Sequence, residues 1–163
     1  MYITKVFKNN KGHTTELPLI IAVVLAMIIT LYLIASSSLA RFNGYQVSEY
    51  SAMKQTKGVS INIKNDSISN AGLDLTLVDK KNKIGHYDDW YKIEKFRYMT
   101  WTDVDMIREN EKDFYSNSED LNMSINWEDS YGKLEPGKYR IIKRVKLKDG
   151  KNYIYVYNTF IIN

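Results

Sequence analysis

The sequence predicts an all-β domain, a two-sheet sandwich of about seven short strands, behind one N-terminal transmembrane α-helix. Three observations carry this reading. An uncharged apolar run from Leu17 to Ala35 directly follows a basic stretch. From Val59 onward the hydrophobic period changes to two, with turn-forming residues between the runs. Between Trp127 and Lys143 a strand end, a tight Pro136-Gly137 turn and the head of a new strand follow one another.

The totals set the bounds. A chain of 163 residues, 44% of them hydrophobic, has room for a single domain of ordinary size plus an anchor. The formal charge of +4 is modest and its signs are interspersed, so charge points to no nucleic-acid partner. The absence of cysteine excludes disulfides, thiolate metal sites, a cysteine nucleophile and lipidation of an N-terminal cysteine. Thirteen tyrosines against five phenylalanines suit a β-rich domain.

Residues 1–16 read as a cytoplasmic N-terminus and 17–38 as the membrane helix, close to the ~20 residues that span a bilayer. Pro18 sits in the first turn, where a missing N–H is harmless, and Thr14 or Thr15 is placed to cap it. Lys5, Lys8 and Lys11 precede the run while Arg41 alone closely follows it, which places the N-terminus inside and the remainder outside. Two other readings of this region stay open. Ser38-Leu39-Ala40 is a small-x-small triplet that would allow cleavage after Ala40 and release of a secreted domain. Lys11 to Leu17 resembles the leader of type IV prepilins, with Gly12 before the cut and Glu16 opening the helix. Here Glu16 stands one residue closer to the glycine than in that family. That resemblance implies a filament subunit processed after Gly12.

Residues 39–57 read as a juxtamembrane linker that holds the domain just off the membrane. Its Tyr45, Val47, Tyr50 and Met53 equally allow an extension of the helix or a first strand. The domain then occupies residues 58–163. Val59, Ile61 and Ile63 alternate with polar residues, and Leu73, Leu75 and Leu77 do the same after a turn-rich break, which predicts a hairpin. Trp90 to Phe96 forms a third strand, onto which Tyr98 to Val104 pairs back. The polar segments around Phe114-Tyr115 read as loop, and Leu121, Met123, Ile125 and Trp127 mark the clearest alternation in the chain. After the corner, Tyr139, Ile141, Val145 and Leu147 face one side and Arg140, Arg144, Lys146 and Lys148 the other, with Ile142-Lys143 breaking the phase as a bulge would. Asp149-Gly150 signals a hairpin turn, and Asn152 to Ile162 forms the last strand.

The corner itself, Leu134, Pro136-Gly137 and then Tyr139 at the head of a strand, resembles the tyrosine corner of immunoglobulin-like sandwiches. Gly58 to Lys64, Tyr91-Lys92-Ile93-Glu94-Lys95, Trp101-Thr102-Asp103-Val104 and above all Trp127, Tyr131, Gly132, Leu134 and the residues through Lys143 are together similar to a bacterial immunoglobulin-like domain family of Gram-positive extracytoplasmic proteins. The likeness implies an immunoglobulin-like fold and an extracytoplasmic setting, and it brings no catalytic residue or cofactor. That family usually has a Tyr-Gly pair before the Tyr-x-Ile-Glu-Lys strand. This chain has Tyr87-Asp88, which implies a different turn there.

The chemistry in the sequence is sparse. His13 and His86, the only histidines, fall on opposite sides of the membrane in this topology, so they share no metal site or acid-base pair. Asp88-Asp89, Asp103-Asp105, Glu119-Asp120 and Glu128-Asp129 lack a calcium-loop pattern and read as solvated charges. No nucleophile elbow or phosphate loop is present, so neither catalysis nor a cofactor is expected. Arg140, Arg144, Lys146 and Lys148, with Lys151 beyond, form a candidate basic stripe for an anionic cell-wall polymer or lipid head group. Tyr153, Tyr155 and Tyr157 read as cross-strand packing in the core, with a binding platform for sugar or protein as the alternative. The expectation is a membrane-anchored binding or structural module that takes a protein or anionic-polymer partner, with self-association open through the helix or an edge strand.

Overall fold

A computed structural model describes residues 16–109, 114–116 and 121–163 of the chain. An apolar helix, α1 (Glu16–Phe42), precedes strands β1 (Val59–Ile63), β2 (Gly72–Asp79), β3 (Ile84–Arg97), β4 (Thr100–Asp103), β5 (Phe114–Ser116) and β6 (Asn122–Asn126). A single-turn helix, α2 (Glu128–Tyr131), leads to β7 (Gly137–Leu147) and β8 (Tyr153–Ile162). The strands form two antiparallel sheets, a smaller one in the order β1-β2-β6 and a larger one in the order β4-β3-β7-β8, with β5 also paired to β3. This is an immunoglobulin-like sandwich preceded by one helix.

Helix α1 runs past the expected boundary at residue 38 because Leu39, Ala40 and Arg41 are good helix formers. Its end is specific. The N–H of Tyr45 bonds the carbonyl of Ala40 (3.0 Å), that of Gly44 bonds Arg41 (2.9 Å), and Gly44 adopts φ +80°. This is a Schellman motif, which needs a left-handed residue that glycine supplies without a Cβ penalty. Most of α1 is exposed, and from Pro18 to Phe42 it is long and apolar enough to cross a membrane.

The core lies where alternate residues of the two sheets meet. Ile61, Leu75 and Leu77 from the smaller sheet face Ile93, Ile141, Val145 and Val156 from the larger. Ile93 and Ile141 pair directly across β3 and β7 and are wholly buried, each contributing about 2 kcal/mol of apolar transfer. The side chain of Asn158 bridges the sheets by donating to the carbonyl of Ile61 (2.9 Å).

The corner block closes one end of this core. Trp127 is fully buried, and its indole N–H donates to the carbonyl of Asn70 (2.8 Å), which also accepts the N–H of Leu134 (2.8 Å). Tyr139 stacks on Phe160 with ring centroids 5.7 Å apart, and its hydroxyl donates to the carbonyl of Glu135 (2.7 Å). Tyr131, on α2, accepts the N–H of Ile93 at its hydroxyl (3.3 Å). Gly132 and Gly137 have φ of +71° and +155°, and a Cβ at Gly137 would stand 2.7 Å from Cε of Lys95.

Four strand-level expectations need correction. Phe114–Ser116 is not loop but a short strand paired with His86–Asp88 of β3. The third strand begins at Ile84, because the residues before Trp90 already pair with β7. The bulge belongs to β3 rather than β7. Tyr87 and Tyr91 pair with Val145 and Lys143, so β3 carries two more residues than its partner there, whereas β7 pairs with β8 without a shift. The alternation of β7 therefore continues unbroken, with Ile142 on the outer face and Lys143 pointing inward beside Tyr91 and Val156. Finally, Tyr153, Tyr155 and Tyr157 lie on the outer face of the larger sheet, opposite the core-facing Val156.

Candidate functional site

Two ion pairs with buried carboxylates lie on the outer face of the larger sheet, one of them under residues 43–57. This segment is neither a free linker nor a continuation of the helix. Past the Schellman motif it turns back along β4, where Val47 bridges Thr102, Ser48 N–H bonds Trp101 (3.0 Å) and Asp103 N–H bonds Gln46 (2.9 Å). It then crosses the face and reaches the open edge of β8, where Gln55 and Thr56 donate to the carbonyls of Tyr157 (2.8 Å) and Tyr155 (3.3 Å). These side chains occupy carbonyls that an edge strand would otherwise offer to another chain. We call the segment the strap.

Beneath the strap, Glu94 of β3 and Arg140 of β7 stand opposite one another on the outer face. Arg140 Nε donates to Glu94 Oε2 at 2.5 Å, and both side chains are almost entirely buried. The strap completes the pair: Ser48 donates its hydroxyl to Glu94 Oε1, and the carbonyl of Tyr50 accepts from Arg140 Nη2 (2.7 Å). Burial pushes the Glu94 carboxyl above its ordinary value, against the opposing pull of Ser48, Arg140 and Lys92. Aromatic rings cover the guanidinium, with Trp101 at 4.6 Å and Tyr157 at 5.1 Å from Arg140 Cζ.

A second cluster stands at the β3 bulge. Arg144 holds the buried carboxylate of Asp88 through Nε (2.7 Å) and Nη2, and lies between Trp90 (5.4 Å) and Tyr153 (4.8 Å). On the inner side Lys143 donates to the backbone carbonyl of Asp88 (2.6 Å). Burial pulls its ammonium pKa down to about 8, although Asp89 and Asp88 act in the opposite sense. Asp88 lies within the bulge, between the paired residues Tyr87 and Tyr91. The bulge falls at Tyr87-Asp88, where the sequence departs from the Tyr-Gly pattern.

The sequence-predicted sites distribute as follows. Trp127, Tyr131, Gly132, Leu134, Pro136, Gly137 and Tyr139 come together at one end of the sandwich. The proposed basic stripe does not form one exposed face: Arg140 is buried on Glu94, Arg144 is half-buried on Asp88, and Lys148 reaches Asn82 (2.7 Å). Lys146 is half-buried, and Lys151 lies exposed in the turn to β8. Gly12, His13, Glu119 and Asp120 lie outside the described residues; Glu16 is the first residue of α1. Asp103 pairs with Lys92 (3.0 Å), and among the described residues no three acidic or histidine side chains gather as a metal site. Sequence reasoning missed Ser48, Tyr50, Glu94 and Lys143, and its reading of Asp88 as a solvated charge is wrong, because Asp88 is wholly buried on Arg144. For Glu94 and Asp88 a signal existed, since each is an acid inside a run of strand-forming residues whose only good use when buried is a cation.

A family described as a bacterial Ig-like domain matches residues 55–158. No curated protein and no solved structure matches the chain.

Proposed function

The chain belongs to the bacterial Ig-like domain family, and from that premise we propose that it is a non-catalytic binding or structural module, held at the cell surface by α1 with its sandwich outside the membrane. The observation that carries this reading is the strap. A domain tethered only for local concentration needs a flexible linker, whereas here residues 43–57 are bonded to β4, β7 and β8 in turn. Helix and sandwich are thereby joined as one mount, and that favours a module whose orientation relative to its anchor matters. The orientation itself rests on Lys5, Lys8 and Lys11 ahead of the apolar run.

Binding is assigned to the outer face of the larger sheet, where Trp90, Tyr153 and Tyr155 are half-buried around Arg144. Aromatic and arginine side chains of this kind anchor protein partners. With Arg140 and Arg144 already paired to carboxylates, an anionic polymer is the weaker reading. Secretion after cleavage at Ala40 is disfavoured, because Ala40 is wholly buried and its carbonyl caps the helix through Tyr45.

The chain lacks cysteine, so single cysteines report topology directly. An impermeant maleimide on intact protoplasts is expected to label Lys151→Cys and to spare Asn9→Cys, with the protein retained in the membrane fraction. The opposite labelling overturns the orientation. An intact mass beginning at His13 makes the chain a filament subunit instead, and one beginning at Arg41 makes it secreted.

A further inference from the structure

The β3–β4 hairpin turns on Tyr98 and Met99, whose φ values are +48° and +62°. Both central residues of this two-residue turn are left-handed, a geometry that ordinarily selects Asn-Gly or Asp-Gly. A tyrosine and a methionine there cost conformational energy, and strain of this kind is kept where the side chains it presents are used. What they present is apolar surface: Tyr98 is 38% and Met99 58% exposed.

The position of this tip is informative. Tyr98 lies with its ring 6.0 Å from that of Tyr45, whose N–H caps α1 at Ala40. Arg97 stacks over Tyr45 at 4.3 Å. Strand β4 is the strand against which α1 makes its main contact, and Ser36 and Ala40 are the buried residues of that helix. The strap pairs antiparallel to β4, running from Gln46 beside Asp103 to Ser48 beside Trp101 and so toward the tip, while the Tyr98 ring meets Tyr45 at the helix end, where Leu39 and Phe42 are exposed and apolar. Tyrosines beside an apolar helix end, flanked by Arg41 and Arg97, have the composition of a membrane–water interface, where rings sit at headgroup level and arginines reach outward past them.

We propose that the Tyr98–Met99 tip, with Phe42 and Tyr45, is a seat that docks the sandwich onto the headgroup region of the bilayer that α1 crosses. This rests on the anchoring role of α1 proposed above. The seat fixes the tilt of the sandwich, and the strap transmits that tilt from helix to domain, leaving the aromatic face around Arg144 turned at a set angle to the membrane.

The test uses the full chain in vesicles of phosphatidylethanolamine and phosphatidylglycerol. Met99→Cys and, separately, Tyr98→Cys carry an environment-sensitive fluorophore. Lys81→Cys, in the turn that precedes β3 and so at the end of that strand away from the tip, is the control. Blue-shifted emission and quenching by headgroup-proximal spin-labelled lipid several-fold stronger at the two tip positions than at the control are expected. If the protein floats with the vesicles but both tip probes are as water-exposed as the control, the seat is overturned and the anchor stands. If the protein does not float with the vesicles, the anchor fails and the seat with it.

Discussion

Glu94 and Arg140 form an ion pair 2.5 Å across that lies outside the hydrophobic core and is nevertheless buried, because the strap forms its roof. Such a pair gives back little net stability, since desolvation offsets its attraction, but losing one partner strands the other. Arg140→Met is therefore expected to destabilise the sandwich by about 3–5 kcal/mol. Glu94→Leu together with Arg140→Met is expected to cost far less than the two single changes added. Denaturant titration of the full chain in detergent checks this, and additive losses refute the buried-pair account.

The Ser48 hydroxyl ties the strap to that carboxylate and also accepts the N–H of Tyr50 (3.0 Å). Ser48→Ala should cost about 2 kcal/mol, the range for a hydrogen bond to a charged group. The loss falls on the strap first. Trypsin cleavage after Lys54 and Lys57 is expected to accelerate while the sandwich stays resistant. An unchanged cleavage rate would mean that the strap is held by its backbone bonds to β4 alone.

At the corner, Tyr139→Phe keeps the ring stacked on Phe160 and removes only the hydroxyl that donates to Glu135. A loss of about 1 kcal/mol in unfolding free energy, read from a lower denaturant midpoint at unchanged slope, is expected. No loss would show that the Leu134–Gly137 turn is fixed by its own backbone preferences.

This corner was legible in the sequence because turn chemistry is local: proline and glycine set backbone angles wherever they stand, and Tyr139 follows at a fixed offset. The inner faces of β1, β2 and β6 were legible for a similar reason, since period-two alternation reports burial directly. The outer face of the larger sheet was not. Arg140 and Lys143 look like solvent residues by type, and only pairing across strands shows that each meets a buried oxygen. The two extra residues of β3 between Tyr87 and Tyr91 leave no mark in β7, so the sequence pattern puts the bulge one strand away from its true position. The strap has the composition of a linker, and its partners lie far along the chain, Ser48 on Glu94 and Tyr50 on Arg140.

Lys143 gives the pH dependence. Its ammonium is buried against one carbonyl, and burial lowers its pKa from 10.5 to about 8. Below about 8 both folded and unfolded chains hold the proton, and the folded state bears the full cost of a buried charge. Between that value and the ordinary lysine pKa the unfolded chain keeps a proton that the folded chain has shed, so raising the pH favours folding. Above about pH 10 the sign reverses, because unfolded tyrosines ionise while Tyr131 is held neutral, its pKa pushed up to about 12 by burial. Stability should therefore rise by on the order of 1–2 kcal/mol between about pH 8 and about pH 9.5 and then fall. In Lys143→Met the rise should vanish while the fall remains. Urea midpoints of both proteins across this window decide it, and a rise that survives in Lys143→Met would assign it to another group.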